Sequence, residues 1–600
     1  MTNLWMHPAA FYILGAFFIP FLKGRAKQIF LLLVGAAAFL TVVSMPQGVY
    51  GTVRFIGLDL IFGRVDKLSL VFAHVFTLMA LIGIIYSLHV DDDGQHIAAF
   101  LYIGGSLGAT FAGDYVTLFM FWEVMAFASV FLVLFRRTKE SVDAGYRYLL
   151  VHVVGGLFLL AGIILKYGET GSFAFVPIAQ DGATYTAYLI MIGFCLNAAV
   201  PPIHGWLPDA YPKATVTGAV FMSAFTTKTA VYTLARGFAG FEVLAVLGAI
   251  MAVYGVCYAV IENDARRILA YHIVSQVGYM VAGIGIGTAM ALNGAASHAY
   301  AHIIYKGLLF MGAGAVLEMT GRSKLSELGG LYKYMPLTLF FTVTGGIAIS
   351  GFPLTSGFIS KSMTVAAAAE DHRIIIMIML MLASIGTFLS VGLKLPYFIW
   401  FGKDSGLKPK EPPLNMKVAM GIAAFLCYFL GIYPKFLFDM LPNPVHWAPY
   451  TASHLSEILQ LMAFTGLGFL ILLKKMKPEP SLNLDTDWFY RKGAKGFMWL
   501  VNNPMAYLGA KISHAVFDIL PSSLAWASKN PLAVIKIASD SLLLRFSSQD
   551  KAAAIKKRIN REKEIYPGDV IKHWPIGATV MWVTIFLLTY LIIYYIYDAA

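Results

Sequence analysis

Between Ala291 and Met319 the chain reads ALNGAASHAYAHIIYKGLLFMGAGAVLEM, and the reading of this stretch decides the fold. It is long enough to cross a bilayer as one helix. At 3.6 residues per turn His298, His302 and Lys306 fall at i, i+4 and i+8, one polar stripe down an oily rod. An ionisable group at membrane depth costs about 2.5–3.5 kcal/mol on insertion scales, and by default it marks an ion or proton pathway. The competing reading bonds both histidines to carbonyls of neighbouring helices and lets Lys306 snorkel to the surface. Apolar residues continue well beyond Lys306, which leaves its ammonium no short route to water.

The composition agrees with a membrane setting. Hydrophobic residues make up 58% of the chain and charged residues only 13%, outside the range of soluble domains. The chain is a polytopic, all-α membrane protein on these grounds. Its three cysteines, Cys195, Cys257 and Cys427, lie inside apolar runs with no metal-ligand spacing. Neither a Walker A sequence, nor a GxGxxG after a strand, nor a cysteine cluster occurs, so no cofactor or metal is expected on this chain. The net charge of +12 comes from short loops and one late segment, a placement that sets membrane orientation and does not point to nucleic acid. The N-terminal apolar run lacks a basic start and a small-residue cleavage site, and is expected to be a retained helix.

Apolar runs predict about sixteen spans by the length criterion. Their grouping gives N-terminal helices over 1–95, a first five-helix repeat over 96–238 and a second over 243–402. Two further helices follow at 415–474, then a cytoplasmic-side lateral segment over 475–575 and a final span over 576–600. The basic loops test the count. Lys23, Arg25 and Lys27, then Arg136, Arg137, Lys139 and Arg147, then Arg266 and Arg267 all fall between an odd and an even span. Arg322 and Lys324, and Lys403, Lys408 and Lys410, obey the same parity. The positive-inside rule makes that face cytoplasmic and puts both termini outside.

Two spans are punctuated. The seventh carries Pro201, Pro202 and then Gly205; the twelfth reads Gly351-Phe352-Pro353 with Gly357 after it. Proline removes a helical hydrogen bond and clashes with the preceding turn, so both helices are expected to break near mid-membrane. Broken helices at matching places in two halves signal a repeat-built transporter. Each break falls in the fourth span of its block, and VHVVGGLFLLAG from Val151 echoes AHIIYKGLLFMGAG from Ala301. Successive five-helix blocks enter from opposite faces, so the repeat is expected to be inverted.

After Leu473 the chain turns polar and basic, with Pro478, Pro480, Pro504, Pro521 and Pro531 read as breaks. From Leu532 to Glu564 no Pro or Gly intervenes, which predicts an amphipathic rod of roughly 50 Å at 1.5 Å per residue. It is expected to lie laterally across neighbouring helices, with lipid headgroups as the alternative resting place.

Four more charged groups sit within spans: Glu123 in FMFWEVMAF, Lys228 in AFTTKTAVY, Lys361 in GFISKSM and Lys394 in SVGLKLPYF. A carboxyl alternating with amines and imidazoles is what a proton relay needs, because desolvation favours the neutral form of each and so eases proton exchange. Glu123 could instead form an ion pair that only locks helices, although such pairs add little net stability. Lys394, at a span end, could snorkel. Asp114 and Asp209, near helix ends, are read as caps, and His152 and His204 are open to either reading.

The strings FWEVMAF, PPIHGWLPDAYP, TTKTAVYTLAR, NDARRILAYHIVSQVGYM, HAYAHIIYKGLLF and GGLYKYMPLTL with GFPLTSGFISK carry a resemblance. From Asp66 to Gly402 the chain resembles the antiporter-like membrane subunits of respiratory complex I, energy-converting hydrogenases and Mrp-type sodium/proton antiporters. The core looks closest to the D-type Mrp subunit, and the lateral helix with its last span resembles the distal subunit of complex I. The resemblance matches the family's essential glutamate to Glu123 and its span-eight lysine to Lys228. It matches the central histidines and lysine to His298, His302 and Lys306, and the terminal lysine or glutamate to Lys361. One position departs: where the family carries its span-seven lysine, this chain has Asn197. Either Lys228 partners Glu123, or water held by Asn197 bridges, or the first half-channel is altered or silent.

The favoured function is therefore translocation of protons, coupled to sodium or to a partner complex, in the bilayer of a bacterial-type inner membrane with other membrane subunits as partners. One alternative is the pumping subunit of a redox-driven complex, with the redox chemistry on other chains. Another is an energising or scaffold partner of an inorganic-carbon uptake assembly, Asn197 then marking lost antiport.

Overall fold

The computed structural model describes residues 5–55, 57–479, 484–568 and 576–598; Pro480, the boundary at 575 and residues 599 and 600 lie outside them. Two units are distinguished, Met1–Trp488 and Phe489–Ala600. In the first, α1 (Pro8–Phe18) and α2 (Gly24–Val43) lead into an antiparallel hairpin of β1 (Gly48–Phe55) and β2 (Leu58–Val65). Its register sets Gly48 opposite Val65 and Phe55 opposite Leu58. After α3 (Lys67–Ser87) comes a first block: α4 (Asp93–Phe111), α5 (Tyr115–Leu134), α6 (Lys139–Thr170), α7 (Tyr185–Asn197), α8 (Trp206–Ala210), α9 (Val216–Ala224) and α10 (Thr226–Gly237). The second block is α11 (Glu242–Ile261), α12 (Ala265–Ile286), α13 (Ala289–Thr320), α14 (Pro336–Ser350), α15 (Ser356–Glu370) and α16 (Ile374–Thr387). Then α17 (Leu414–Ile432), α18 (Lys435–Phe438) and α19 (Ala452–Leu472) follow.

The two blocks use the same local devices in the same order. Asp114 caps α5 by accepting from Thr117 N, and Asp264 caps α12 by accepting from Arg267 N. Each capping aspartate also forms an isolated bridge to the loop after the next helix, Asp114 to Ala174 and Asp264 to Lys324. Those next helices, α6 and α13, are both 32 residues long and both end on a left-handed glycine, Gly171 and Gly321. The helix after each is short and then broken: α7 stops at Asn197 and α14 at Ser350. The blocks are also opposed in direction. Arg136, past the C-terminal end of α5, donates to Pro212 O, and Arg266, at the N-terminal end of α12, donates to Tyr211 O, Ala214 O and Thr215 O. One loop thus receives the end of one helix and the start of its counterpart, as an inverted repeat requires.

Both expected breaks are present, after Asn197 and around Gly351, whose φ of +79° suits glycine alone. A third was not expected: the eighth span is interrupted at Phe225, between α9 and α10. There Thr226 N donates to the phenol of Tyr102 in place of a helical carbonyl. Among the described residues eleven helices are long and apolar enough to cross a membrane, with shorter apolar helices at Pro8–Phe21, Tyr185–Asn197 and Pro336–Ser350. Length and composition therefore support eleven spans where the sequence suggested about sixteen; interruption shortens several segments below the criterion. Asp114 caps as expected, whereas Asp209 is held by Arg147 at 2.7 Å and Lys213 at 2.8 Å and so acts in an ion-paired cluster.

The second unit corrects the expected rod. α23 (Pro531–Arg545) and α24 (Gln549–Ile565) are separate helices that fold back on each other. Arg558 Nε donates to Asp540 at 2.6 Å, and Lys536 stands 3.9 Å from Glu562, pairs only antiparallel helices can make. Ser548, in extended conformation, starts the return helix. The long helix lies earlier: α20 (Asp487–Leu500), α21 (Ala506–Ser513) and α22 (Leu520–Lys529) run on through π-helical turns at Val501–Met505 and His514–Ile519. From Phe489 to Lys529 that is about 60 Å at 1.5 Å per residue. Pro504 sits inside the first π turn and Pro521 just after the second, so neither ends the helix. The unit ends with α25 (Ile576–Asp598).

Candidate functional site

The first block presents Glu123, Asn197 and Lys228 singly. Glu123, on α5, directs Oε1 onto the backbone of α6 at Gly156, where a Cβ would collide with it. That oxygen is buried without a hydrogen-bond partner, and Glu123 forms no salt bridge among the described residues. The helix-locking ion pair is thus absent at Glu123. Asn197 is 0% exposed at the end of α7, and both its amide oxygen and nitrogen lack partners. Lys228 stands just beyond the break at Phe225 and donates to Ser223 O at 2.6 Å, a carbonyl the interruption frees from helical bonding.

The second block stitches some of its groups together. On α13 the expected stripe is fully buried, and α12, buried from Ile268 to Ile286, lies against it. His298 Nδ1 is 3.0 Å from Ser360 Oγ on α15. His302 has no partner on either ring nitrogen, and Lys306 Nζ has none either. The snorkelling alternative fails for Lys306, whose side chain ends in the protein interior. Lys361 follows the break at Gly351 and donates to Ile349 O at 2.7 Å, one of the carbonyls that the break exposes. It also lines a cavity of about 730 Å³ with Tyr279, Asn293, His446, His454 and Glu457. Lys394 does not snorkel: it donates to Val260 O at 2.6 Å and Glu262 O at 2.8 Å, closing the C-terminal end of α11. A cation there is favoured by the helix dipole, so geometry gives Lys394 a capping contact.

Sequence reasoning missed a second polar line on α12. His272 Nε2 is 2.7 Å from Ser390 Oγ, and one turn on, Gln276 Nε2 donates to Thr387 Oγ1 at 3.2 Å. Tyr305 OH lies 3.5 Å from both Gln276 Oε1 and His298 Nε2. A discontinuous thread of exchangeable protons therefore runs His272, Ser390, Gln276, Tyr305, His298, Ser360, and reaches the residue before Lys361. The i, i+4 spacing of His272 and Gln276 was the available signal, diluted by the neighbouring Tyr271, Ser275 and Tyr279. His152, in the first block, packs its ring 4.5 Å from that of Trp206 and leaves Nε2 unpartnered. His204 meets a partner from outside both blocks, Asp485, at 3.3 Å.

These arrangements allow one kind of chemistry. Fixed donors and acceptors at hydrogen-bond spacing pass protons by exchange, and unpartnered groups such as Glu123, Asn197, His302 and Lys306 require water or a moving proton to satisfy them in hydrocarbon. No group of metal-ligating side chains occurs among the described residues.

Comparison with known proteins follows this geometry. Residues 112–390 match the family described as NADH:quinone oxidoreductase/Mrp antiporter, TM. The D-type subunit of the Na(+)/H(+) antiporter of Alkalihalophilus pseudofirmus is 31% identical over 336 residues, covering 53% of this chain and 67% of that protein. The N-type subunit of the NADH-quinone oxidoreductase of Desulforudis audaxviator is 33% identical over 316 residues, 49% of this chain and 63% of its own. Among solved structures, a chain of the Mrp complex from Dietzia sp. superposes with a TM-score of 0.65 at 22% identity, over 77% of this chain and 100% of its own, a likeness of fold.

Proposed function

Because the chain belongs to the NADH:quinone oxidoreductase/Mrp antiporter transmembrane family, we propose that it is a proton-translocating, cation-coupled subunit of a multisubunit membrane assembly. Glu123 takes up protons in the first block, and Lys228 is the cation that answers its charge. His302 and Lys306 carry the proton through the centre, with His298 beside them, and Lys361 releases it into the cavity beside Tyr279. Lys394 holds the end of α11 and bounds the second block on its basic-loop face. The protein is multi-pass, and this reading puts it in a bacterial-type cytoplasmic membrane with both termini outside. The observation that carries the reading is the set of fully buried, unpartnered ionisable groups on one helix, His302 and Lys306 on α13. A purely structural core tolerates such groups poorly.

Glu123→Gln tests it, since the amide keeps shape and removes titration. In everted vesicles containing the intact assembly, cation-driven pH change should collapse while the subunit still assembles. Wild-type exchange in that variant removes Glu123 from the mechanism. A second reading, a pump subunit driven by redox chemistry on partner chains, draws support from the identity to the N-type oxidoreductase subunit. Purifying the assembly distinguishes them: partners carrying flavin or iron–sulfur absorption favour the redox-driven form, and small membrane subunits alone favour the antiporter.

A further inference from the structure

The segment Leu484–Asp487 lies beyond the family match at 112–390, yet it inserts a charge into the core. The Asp485 carboxylate is fully buried, with Oδ1 3.3 Å from His204 Nε2, and the His204 side chain is fully buried as well. Tyr254 OH on α11 donates to Oδ1 at 2.5 Å, and Tyr271 OH on α12 donates to Oδ2 at 2.7 Å. Tyr258 OH donates to Leu484 O at 2.9 Å, so three phenols from two helices grip the segment. The fit continues at Gly205, where a Cβ would stand only 3.0 Å from Asp487 N and 3.1 Å from Thr486 Oγ1. A buried carboxylate that accepts from two phenols and faces His204 at 3.3 Å is a built contact and not a chance approach. Burial opposes its charge, but the nearby His204 and the two phenols outweigh that and hold the carboxyl well below its ordinary range.

What this segment grips is the broken seventh span. His204 lies in the interruption after Asn197, and two residues on, Trp206 Nε1 donates back across it to Leu196 O at 3.0 Å. The position of His204 is thus linked, through Trp206, to Leu196, the residue before Asn197. We propose that Asp485 is a positioning residue for ion transfer: it ties His204 to α11 and α12, and so fixes the break of the seventh span, with Asn197, against the second block. The proposal rests on the translocation reading above. Other ionisable groups near the cluster are Arg267, which pairs with Glu262 at 3.4 Å and lies 5.8 Å from the Tyr271 ring centre, and Asp487. On α8, Asp209 is committed to Arg147 and Lys213. Replacing Asp485 alters none of these charges.

The test uses the full assembly in everted vesicles and follows the pH profile of cation-driven exchange. Asp485→Asn still accepts from the phenols but removes the buried negative charge that faces His204. The alkaline limb of activity is expected to move about one pH unit toward acid, because losing that charge disfavours the protonated form of the groups beside the break. In a His204→Gln background the same Asp485→Asn change should produce no further shift, since the two act through one contact. Gly205→Val, which keeps both charges but pushes the segment away, should move the limb in the same direction, and it serves if Asp485→Asn does not accumulate. An unmoved limb in either variant, or additive shifts in the double variant, overturns the clamp. Glu123→Gln, run alongside, separates the two claims: normal exchange there defeats the translocation reading, whereas its loss beside an unmoved limb defeats the clamp alone.

Discussion

The first and second blocks share a backbone plan but differ in how their polar groups are connected. In the first, Glu123 and Asn197 stand apart with unsatisfied atoms, and Lys228 reaches only a freed backbone carbonyl. In the second, Gln276, Tyr305, His298 and Ser360 are joined by contacts of 3.0 to 3.5 Å, and His272 reaches Ser390 separately at 2.7 Å. Duplication reproduces helix caps, bridges and breaks, because those are backbone chemistry. It leaves side chains in the interior free to diverge. The two blocks are therefore lopsided in their polar contacts: the second has a partial line of side-chain contacts, and the first holds Glu123 and Asn197 with unpartnered atoms.

The sharpest way to break this comparison is to silence each half. Glu123→Gln is expected to cut exchange by roughly 10²-fold, the usual worth of a positioned acid–base group, measured as cation-driven pH change with assembly checked by co-purification. If instead exchange persists, the first block is ornamental. Lys361→Ala should stop transport comparably, while Lys361→Glu retains part of it, because the family resemblance allows either sign at this end; full activity in the alanine variant would give the twelfth span a structural role only. Lys228→Ala sharpens the contrast further. In the proposed reading, with Asn197 at the seventh-span position, Lys228 is the cation that answers Glu123, so on that reading its loss should cost about tenfold or more. Normal transport in Lys228→Ala would confine the working path to His302, Lys306 and Lys361. Asn197→Lys should be tolerated, within about a factor of two, since it restores a charge beside a carboxylate. Deleting Leu532 to the C-terminus is expected to leave the exchange chemistry intact and loosen subunit association, read as lost co-purification in detergent.

The smallest effect concerns acid. Asp485 has a carboxyl held below its ordinary value of 3.8, so its docking contributes stability that is complete above that value and is lost as pH falls through the lower folded value. The melting difference between wild type and Asp485→Asn should therefore narrow as pH falls into stronger acid, through the lowered value of the Asp485 carboxyl.

Much of this architecture could be read from residues. Pro201, Pro202 and Gly351-Phe352-Pro353 announce their breaks because proline and glycine act through the backbone locally. His298, His302 and Lys306 declare a shared face because helical period is a local property. The interruption at Phe225 has no such marker: it depends on Tyr102, more than a hundred residues away, offering a phenol to Thr226 N. Pro504 and Pro521 misled in the opposite sense, since π turns absorb them, while Ser547-Ser548 turned the chain with neither Pro nor Gly. Asp485 was invisible for the same reason as Phe225, its meaning being set by two phenols on distant helices and by His204 in the seventh-span break.

Gly156 carries a last consequence. The carboxyl of Glu123 rests against the one residue type that adds nothing to the helix surface there. A methyl group at this point would wedge the carboxyl away from α6 without altering its chemistry. The notch therefore separates place from titration: Gly156→Ala would change where the acid rests, and Glu123→Gln changes what it can carry. The place of the acid is thus written into α6, not into the acid itself.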